Sequence, residues 1–386
     1  MTPPQGSPVL FPESATKGYH ELESEVIDPG LCTECRACVD LCAAEGAHAI
    51  DMDMGKFRFD SDRCTACGMC YAVCPEAAGA WDELRGRFAI DGGAIGRELA
   101  VTSAVTRSAA VKRRSADGGV ATSLLWYLID TGRIDGAILS GGPGPLGSSL
   151  FVARTRDEVL QGTGLRTGRG ATLATAYGVV TNLELMTFLR ELHKAAPDGR
   201  ERYALVGTPC QTYALRRMQQ VAVAPTPRVL LSIGLFCYEA FPLNKVQWRR
   251  FEKATGVRVE DVEKFQMREE LVLTVRDGQT IRVDLDTASL LAGPNCLRCA
   301  DFSNRFADLS LGATGSDPGY TTVVVRTEAG REAFDGAVGE GYLSEWGSQF
   351  SEDVSRGRGE QIRARLEAQT RKKERLTRTD GSRKDD

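Results

Sequence analysis

Two runs of cysteine constrain the N-terminal part of this chain more than any other feature. The first reads Cys32-x2-Cys35-x2-Cys38-x3-Cys42, and the second reads Cys64-x2-Cys67-x2-Cys70-x3-Cys74-Pro75. This is the spacing of iron–sulfur modules that hold two cubanes. Three thiolates on one tight loop reach three corners of one cluster. The fourth lies beyond the loop, starts a helix and serves the other cluster. The spacing therefore assigns Cys32, Cys35, Cys38 and Cys74 to one 4Fe-4S cluster. Cys64, Cys67, Cys70 and Cys42 go to a second. Zinc also binds paired cysteines, but two tandem runs of four at this spacing argue for iron and sulfide. The small residues Ala37, Ala66 and Gly68 leave room for backbone N–H groups to point at sulfur, which favours the reduced cluster. Pro75 turns the chain away after the last ligand. The first run instead continues as "AAEGAHAI", a small insertion in which His48 reads as a surface residue.

Around these runs, residues 24–82 contain 11 acidic and 4 basic residues. They read as a compact, acidic, bacterial-type 2[4Fe-4S] ferredoxin-like domain, with bounds set at 23–82. The polar, Pro-rich residues 1–22 before it read as a flexible start, and residues 83–110 as a connector. The 386 residues allow about two or three domains. A net charge of −4 is too small to argue for nucleic acid, and no platform of interleaved aromatic and basic residues is present. No run approaches the ~18 apolar residues of a spanning helix. The first residues lack the basic-then-apolar pattern of a secretory signal, so the expected location is cytoplasmic, or peripheral on a membrane complex. In that setting metal ligation explains twelve cysteines better than disulfides do.

From Ser115 the pattern becomes mixed α/β. "VATSLLWYLIDTG" has helical spacing and ends at Gly132, and "IDGAIL", "RVLLSIGLFC" and "TTVVVRT" read as strands. "FPLNKVQWRRFEKATG" reads as a helix with a glycine stop. "LVLTVRDGQTIRVDL" alternates on both sides of Asp277-Gly278, the signal of a hairpin. From Ser355 the tail has 11 basic and 6 acidic residues. It reads as a solvated, partly disordered end at 351–386, or as a docking arm for an acidic partner.

"YALVGTPC" reads as a strand running into a helix. In "VGTPCQTYALRRMQ", Thr208 stands at an N-cap, Pro209 at the first helical position and Gln211 at the third. Cys210 then lies at a helix N-terminus, where the dipole favours thiolate. Cys237 ends a strand, and Cys296 and Cys299 form a CxxC. Two thiolates from separate strand ends plus one CxxC can close a tetrahedral set. Iron–sulfur and zinc both fit, and an inert buried Cys210 or Cys237 is the plainer alternative. "RRSADGGVATSLL" places Ser115 and Asp117 before Gly118-Gly119 and a helix, where backbone can approach an anion; an ordinary N-cap reads the same way. "GTGLRTGRGATLAT" could wrap an anionic ligand with Arg166 and Arg169 as fixed charges, or be a solvated loop. With three histidines, none in a recognised motif, no hydrolytic triad is indicated.

"VGTPCQTYALRRMQ", "IGLFCYEAF", "CLRCADFSNRFADLSLGATG", "GYTTVVVRTEAG" and "DGGVATSLLWYLIDTGRIDGAIL" together resemble the coenzyme F-420 hydrogenase/dehydrogenase beta-subunit family, over roughly residues 24–345. The resemblance implies an α/β (α+β mixed-sheet) flavin and iron–sulfur domain behind the ferredoxin-like one. Its N-terminal part would span 111–195 and its C-terminal part 196–350. It implies FAD, with Ser115, Asp117, Gly118, Gly119, Arg166, Arg169, Gly207 and Thr208 as candidate binding residues. It implies one further 4Fe-4S cluster, with Cys210, Cys237, Cys296 and Cys299 as ligands by motif match. It also implies coenzyme F-420 as hydride co-substrate. A redox partner protein or subunit (a ferredoxin, dehydrogenase or reductase) would complete the path, and FAD itself would carry the hydride chemistry. Two departures stand out: Ala116 and Asp117 replace small hydroxyl residues, and Gly164-Leu165-Arg166-Thr167 replaces a Gly-Ser-Lys-Tyr segment. The second keeps in view a ferredoxin-dependent reductase of another organic molecule such as a tetrapyrrole; a non-catalytic electron relay that has lost its flavin is a separate alternative.

Overall fold

The computed structural model describes residues 17–32, 37–53, 56–88, 93–141, 149–162, 182–195, 199–223, 225–238, 245–258, 261–267, 270–288, 299–347 and 352–379. Among them the helices, in chain order, are α1 (Tyr19–Leu22, continued by a π-helical turn over Glu23–Ile27), α2 (Ala37–Ala44), α3 (Met69–Val73), α4 (Ala80–Arg87), α5 (Ala109–Arg114), α6 (Val120–Asp130), α7 (Arg156–Gln161), α8 (Asn182–Ala195), α9 (Pro209–Gln220), α10 (Lys245–Thr255), α11 (Leu285–Ala288), α12 (Glu328–Gly339) and α13 (Glu352–Thr379). The strands are β1 (Ile50–Asp53), β2 (Lys56–Phe59), β3 (Ala100–Thr106), β4 (Gly136–Gly141), β5 (Ser149–Ala153), β6 (Tyr203–Gly207), β7 (Val229–Leu235), β8 (Val262–Met267), β9 (Leu271–Val275), β10 (Thr280–Val283), β11 (Leu309–Gly312), β12 (Thr321–Val325) and β13 (Leu343–Glu345). The chain divides into two units. One takes Met1–Asp91, Thr181–Glu201 and Cys210–Leu230; the other takes Gly92–Val180, Arg202–Pro209 and Leu231–Asp386.

The first unit is built on the cysteine runs. β1 and β2 pair antiparallel with Ile50 opposite Phe59, and α2 packs on α3. A small core of Leu22, Val26, Val39, Ile50, Met52 and Tyr71 lies between them. Residues 17–22, expected within the flexible start, are ordered by that core: Tyr19 stacks on Phe59 with ring centroids 4.0 Å apart, and Leu22 is buried. α8 packs on α2, so a segment distant in sequence belongs to this unit.

The second unit holds an eight-stranded sheet in the order β13-β3-β12-β11-β7-β6-β4-β5. β4 and β6 are parallel, as are β7 and β11, whereas β5, β12, β3 and β13 join antiparallel. The sheet is therefore mixed, as expected. β3 comes from the stretch read as a connector and lies inside the sheet, because Ala104 and its neighbours are flanked by β12 and β13. Side chains on a strand alternate in direction, and the core shows it. Val323 packs with Leu124, Leu128 and Phe334 of α6 and α12. Its neighbour Val324 packs with Ile362 and Leu366 of α13. Both faces of the sheet are thus covered.

The tail expected to be solvated is instead the helix α13, and its buried positions explain why. Gly359, Ile362, Leu366, Gln369, Thr370 and Lys373 form the buried stripe. At Gly359 a Cβ would stand 2.8 Å from the Val101 carbonyl of β3, so glycine permits the close approach. The hairpin at Asp277-Gly278 is present: β9 and β10 pair antiparallel, and Gly278 takes φ +81, where glycine is unstrained. β8 extends them to three strands. Gly256 and Gly132, read as helix stops, follow α10 and α6 with φ +71 and +64.

Candidate iron–sulfur and flavin sites

α2 carries Cys38 and Cys42, α3 carries Cys70, and Cys74 follows α3 directly. The loop from Cys64 to Gly68 folds tightly, with left-handed backbone at Ala66 (φ 52) and Gly68 (φ 72). That turn aims the Ala66 N–H at Cys64 Sγ (3.4 Å), and the Ala49 N–H points at Cys42 Sγ (3.3 Å). Burial first, and then the charges of Cys67, Cys64 and Cys42, push the Cys70 thiol up to about 12 against a hydrogen bond from the Tyr71 backbone. Cys42 of the first run thus lies near enough to Cys70 to act on it electrostatically, together with Cys67 and Cys64 of the second. A cluster replaces thiol protons by iron charge and removes that mutual repulsion, so the donor set fits a cubane. Cys38 and Cys74 are buried, Cys32 is half-buried, and all three belong to the apolar core of the unit. Cys35 lies outside the described residues. The ten described cysteines are all free of disulfides. Among the described residues, no three Cys, His, Asp or Glu side chains are grouped to hold a single metal ion.

α9 belongs to the same unit from Cys210 onward. Pro209 begins it, as expected, and Cys210 is exposed in its first turn. One turn on, the Tyr213 hydroxyl donates to the Pro75 carbonyl at 3.1 Å. After a further turn, Arg217, with its side chain fully buried, donates to Glu83 Oε2 at 2.8 Å and to the Ala72 carbonyl. Burial pushes the Tyr213 phenol above the usual range, and Cys74 is among the charges acting on it. The sequence marked Cys210 but not Tyr213 or Arg217; their partners lie 138 and 134 residues away.

In the second unit Cys237 is buried two residues past β7, and its N–H donates to the Phe302 carbonyl at 3.0 Å. Cys299 lies on the segment leading into Asp301 and Phe302, so both thiols stand beside one short stretch of chain. Cys296 lies outside the described residues. Asn304, left-handed at φ 60, donates from Nδ2 to the carbonyls of Gly207 (3.0 Å) and Leu235 (3.3 Å). It ties together the carboxyl ends of β6 and β7, the edge of an α/β sheet where ligands bind. Sequence reading missed it, although Asn is the residue type, after Gly, that most readily takes this backbone.

The candidate FAD residues fall in two places within this unit. Gly207 ends β6 and Thr208 follows it. Ser115, Asp117, Gly118 and Gly119 precede α6, which begins without a side-chain cap and so leaves its first N–H groups to other acceptors. Ser115 Oγ donates to the Val111 carbonyl at 2.8 Å. Gly118 is pressed against the sheet: a Cβ there would stand 2.6 Å from Ala104 O and from Thr321 N. Its N–H donates to Thr321 Oγ1 (3.0 Å), and Thr106 N donates to its carbonyl (2.7 Å). In this structure both glycines serve close packing against their neighbours, Gly118 against β3 and β12 and Gly119 against Ser115, Val111 and Thr106. Arg166 and Arg169 lie outside the described residues.

Converging thiols, followed along the chain by a mixed α/β sheet, define an iron–sulfur protein of the electron-transfer class. Residues 24–75 match a 4Fe-4S dicluster domain. Residues 101–173 and 200–346 match the N-terminal and C-terminal parts of the coenzyme F-420 hydrogenase/dehydrogenase beta subunit. The chain belongs to this beta-subunit family, with a dicluster domain preceding it. Among relatives, the coenzyme F-420-dependent sulfite reductase of Methanocaldococcus jannaschii is 29% identical over 80% of this chain and 46% of its own length. The chain thus spans about half of that relative. The coenzyme F-420 hydrogenase subunit beta of Methanosarcina barkeri is 29% identical over 64% of this chain and 81% of its own. An F(420)H(2) dehydrogenase subunit of Methanosarcina mazei is 26% identical over 81% and 84%. A chain of the F-420-reducing NiFe hydrogenase complex from Methanosarcina barkeri has the same fold, at TM-score 0.56 and 24% identity over 72% of this chain and 94% of that one. Among the described residues no helix is long and apolar enough to cross a membrane.

Proposed function

We propose that this protein moves electrons between coenzyme F-420 and a one-electron partner protein or subunit, through FAD and three 4Fe-4S clusters. The observation that supports the reading is that Cys42 of the first run acts on Cys70 alongside Cys64 and Cys67 of the second, within residues matched to a 4Fe-4S dicluster domain. It makes the first unit a two-cluster electron module rather than a pair of independent metal knots. Cys210, Cys237, Cys296 and Cys299 are the proposed ligands of the third cluster. Gly207, Thr208 and the α6 start, with Arg166 and Arg169, are the proposed FAD contacts. Bound FAD would supply the change between hydride and single electrons. The chain's own part is to orient and insulate. Asn304 fixes the two strand ends beside Cys237 and Thr208, and α9 ties Cys210 to the residue after Cys74. The Cys74 cluster, with Cys38 buried beside it, is then the inner one. The Cys70 cluster, with Cys67 exposed, is the outer one that meets the partner.

Anaerobic purification with iron, sulfide and flavin counts, followed by titration with reduced F-420, NADH and NADPH, tests this. The expected result is about twelve iron per chain, one FAD, and bleaching by reduced F-420 alone. Zinc in place of iron, or no flavin at any stage of reconstitution, would overturn it. Flavin and iron without any response to reduced F-420 would point to a different organic substrate.

A further inference from the structure

α13 lies beyond residues 200–346, the last stretch matched to the family, yet it reaches a proposed ligand. Lys373 on this helix is 3% exposed. Its Nζ donates to the Cys237 carbonyl at 2.9 Å and to the Asp301 carbonyl at 3.1 Å, and it stands 3.7 Å from Cys299 Sγ. An ammonium has three donors and no acceptor, and these three partners match that number. Burying a lysine is costly unless it is so matched. The next residue, Glu374, pairs with Arg305 at 2.8 Å. The Arg305 backbone N–H in turn donates to the Asp301 carboxylate at 3.0 Å. Two adjacent residues of the helix, Lys373 and Glu374, thus hold the segment that follows Cys299.

We infer that Lys373 is a redox-setting residue of the proposed third cluster, and that α13 forms part of the electron-transfer site. Hydrogen bonds to ligand sulfur and nearby charge are what a protein uses to tune such a cluster. A cation at 3.7 Å from a ligand sulfur favours the reduced, more negative state and so raises the potential. The two carbonyl contacts also hold the backbone at Cys237 and two residues past Cys299, so the spacing of the two thiols depends on the same side chain. This inference rests on the reading of Cys237 and Cys299 as cluster ligands.

The test is a potentiometric titration of the full chain, purified without oxygen and followed by electron paramagnetic resonance, in Lys373→Met and Lys373→Arg. At a fixed potential Lys373→Met is expected to lower the reduced-to-oxidised ratio of one cluster by about tenfold, equivalent to ~59 mV for one electron. The other two clusters are expected to stay in place, and Lys373→Arg to stay near the native value. Three unshifted clusters in an iron-replete Lys373→Met protein would overturn the inference. If Lys373→Met loses one cluster's iron, Lys373→Arg decides: retention at the native potential supports the inference, and equal loss overturns it. Failure of the underlying ligand reading shows separately, as about eight rather than about twelve iron in the unmutated protein.

Discussion

The Cys70 thiol, half-buried and pushed up to about 12 by burial and by Cys67, Cys64 and Cys42, holds its proton unless a cation takes its place. The pairing of cubanes is therefore decided by single side chains. Under the crossed assignment, Cys42→Ser and Cys64→Ser should remove the same cluster. Each should lose about four of about twelve iron and leave identical residual resonance spectra. Cys32→Ser and Cys74→Ser should share the other phenotype. If Cys42→Ser instead matched Cys32→Ser, each run would hold its own cluster. This pairing is an expectation that the sequence alone supplies, because it follows from spacing along a short segment. Lys373 and Asn304 were not legible there, because what gives them meaning lies far along the chain: Cys299 is 74 residues from Lys373, and Gly207 is 97 from Asn304.

Elements with a clear apolar period, such as α6 and the β9–β10 hairpin, could be read from the sequence. α13 could not, since its buried stripe contains two large apolar residues, Ile362 and Leu366, among glycine, glutamine, threonine and lysine. Its docking depends on closeness rather than oiliness. Gly359→Leu should lift the helix from Val101, 2.8 Å from the added Cβ, and destabilise by ~1–3 kcal/mol. Gly357→Ala, where a Cβ meets nothing within 4 Å, should be neutral or add up to ~1 kcal/mol through helix propensity. Thermal melts of the two variants against the parent decide this, and equal melts for Gly359→Leu and the parent would refute the docking. α9 is held in the opposite manner, by a buried charge. Arg217→Met removes the bonds to Glu83, which keeps Gln220 Nε2 at 3.3 Å, and to the Ala72 carbonyl, with an expected loss of ~1.5–3 kcal/mol. Warming should then bleach the cluster absorbance earlier than in the parent, with Arg217→Lys intermediate.

At the scale of the whole molecule the proposed route depends on the order of the clusters, and ligand substitutions read that order. Cys38 and Cys74 are buried while Cys67 is exposed. α9 begins at the Cys210 turn and, one turn later, touches Pro75 beside Cys74. The proposed route takes the Cys74 cluster before the Cys70 cluster, whose Cys67 is exposed. Replacing a ligand of the outer cluster should cut the chain at its far end alone. In Cys70→Ala, reduced F-420 should still bleach the flavin and reduce two clusters, while electron exchange with an external one-electron dye or ferredoxin falls at least about tenfold, ~1.4 kcal/mol in barrier. Cys74→Ser should leave the flavin reducible and the outer cluster isolated from it. Stopped-flow absorbance under argon reads both ends in one experiment. If Cys70→Ala also abolished flavin reduction in a folded protein, hydride entry and electron exit would not be separate, and the linear order of centres would be wrong.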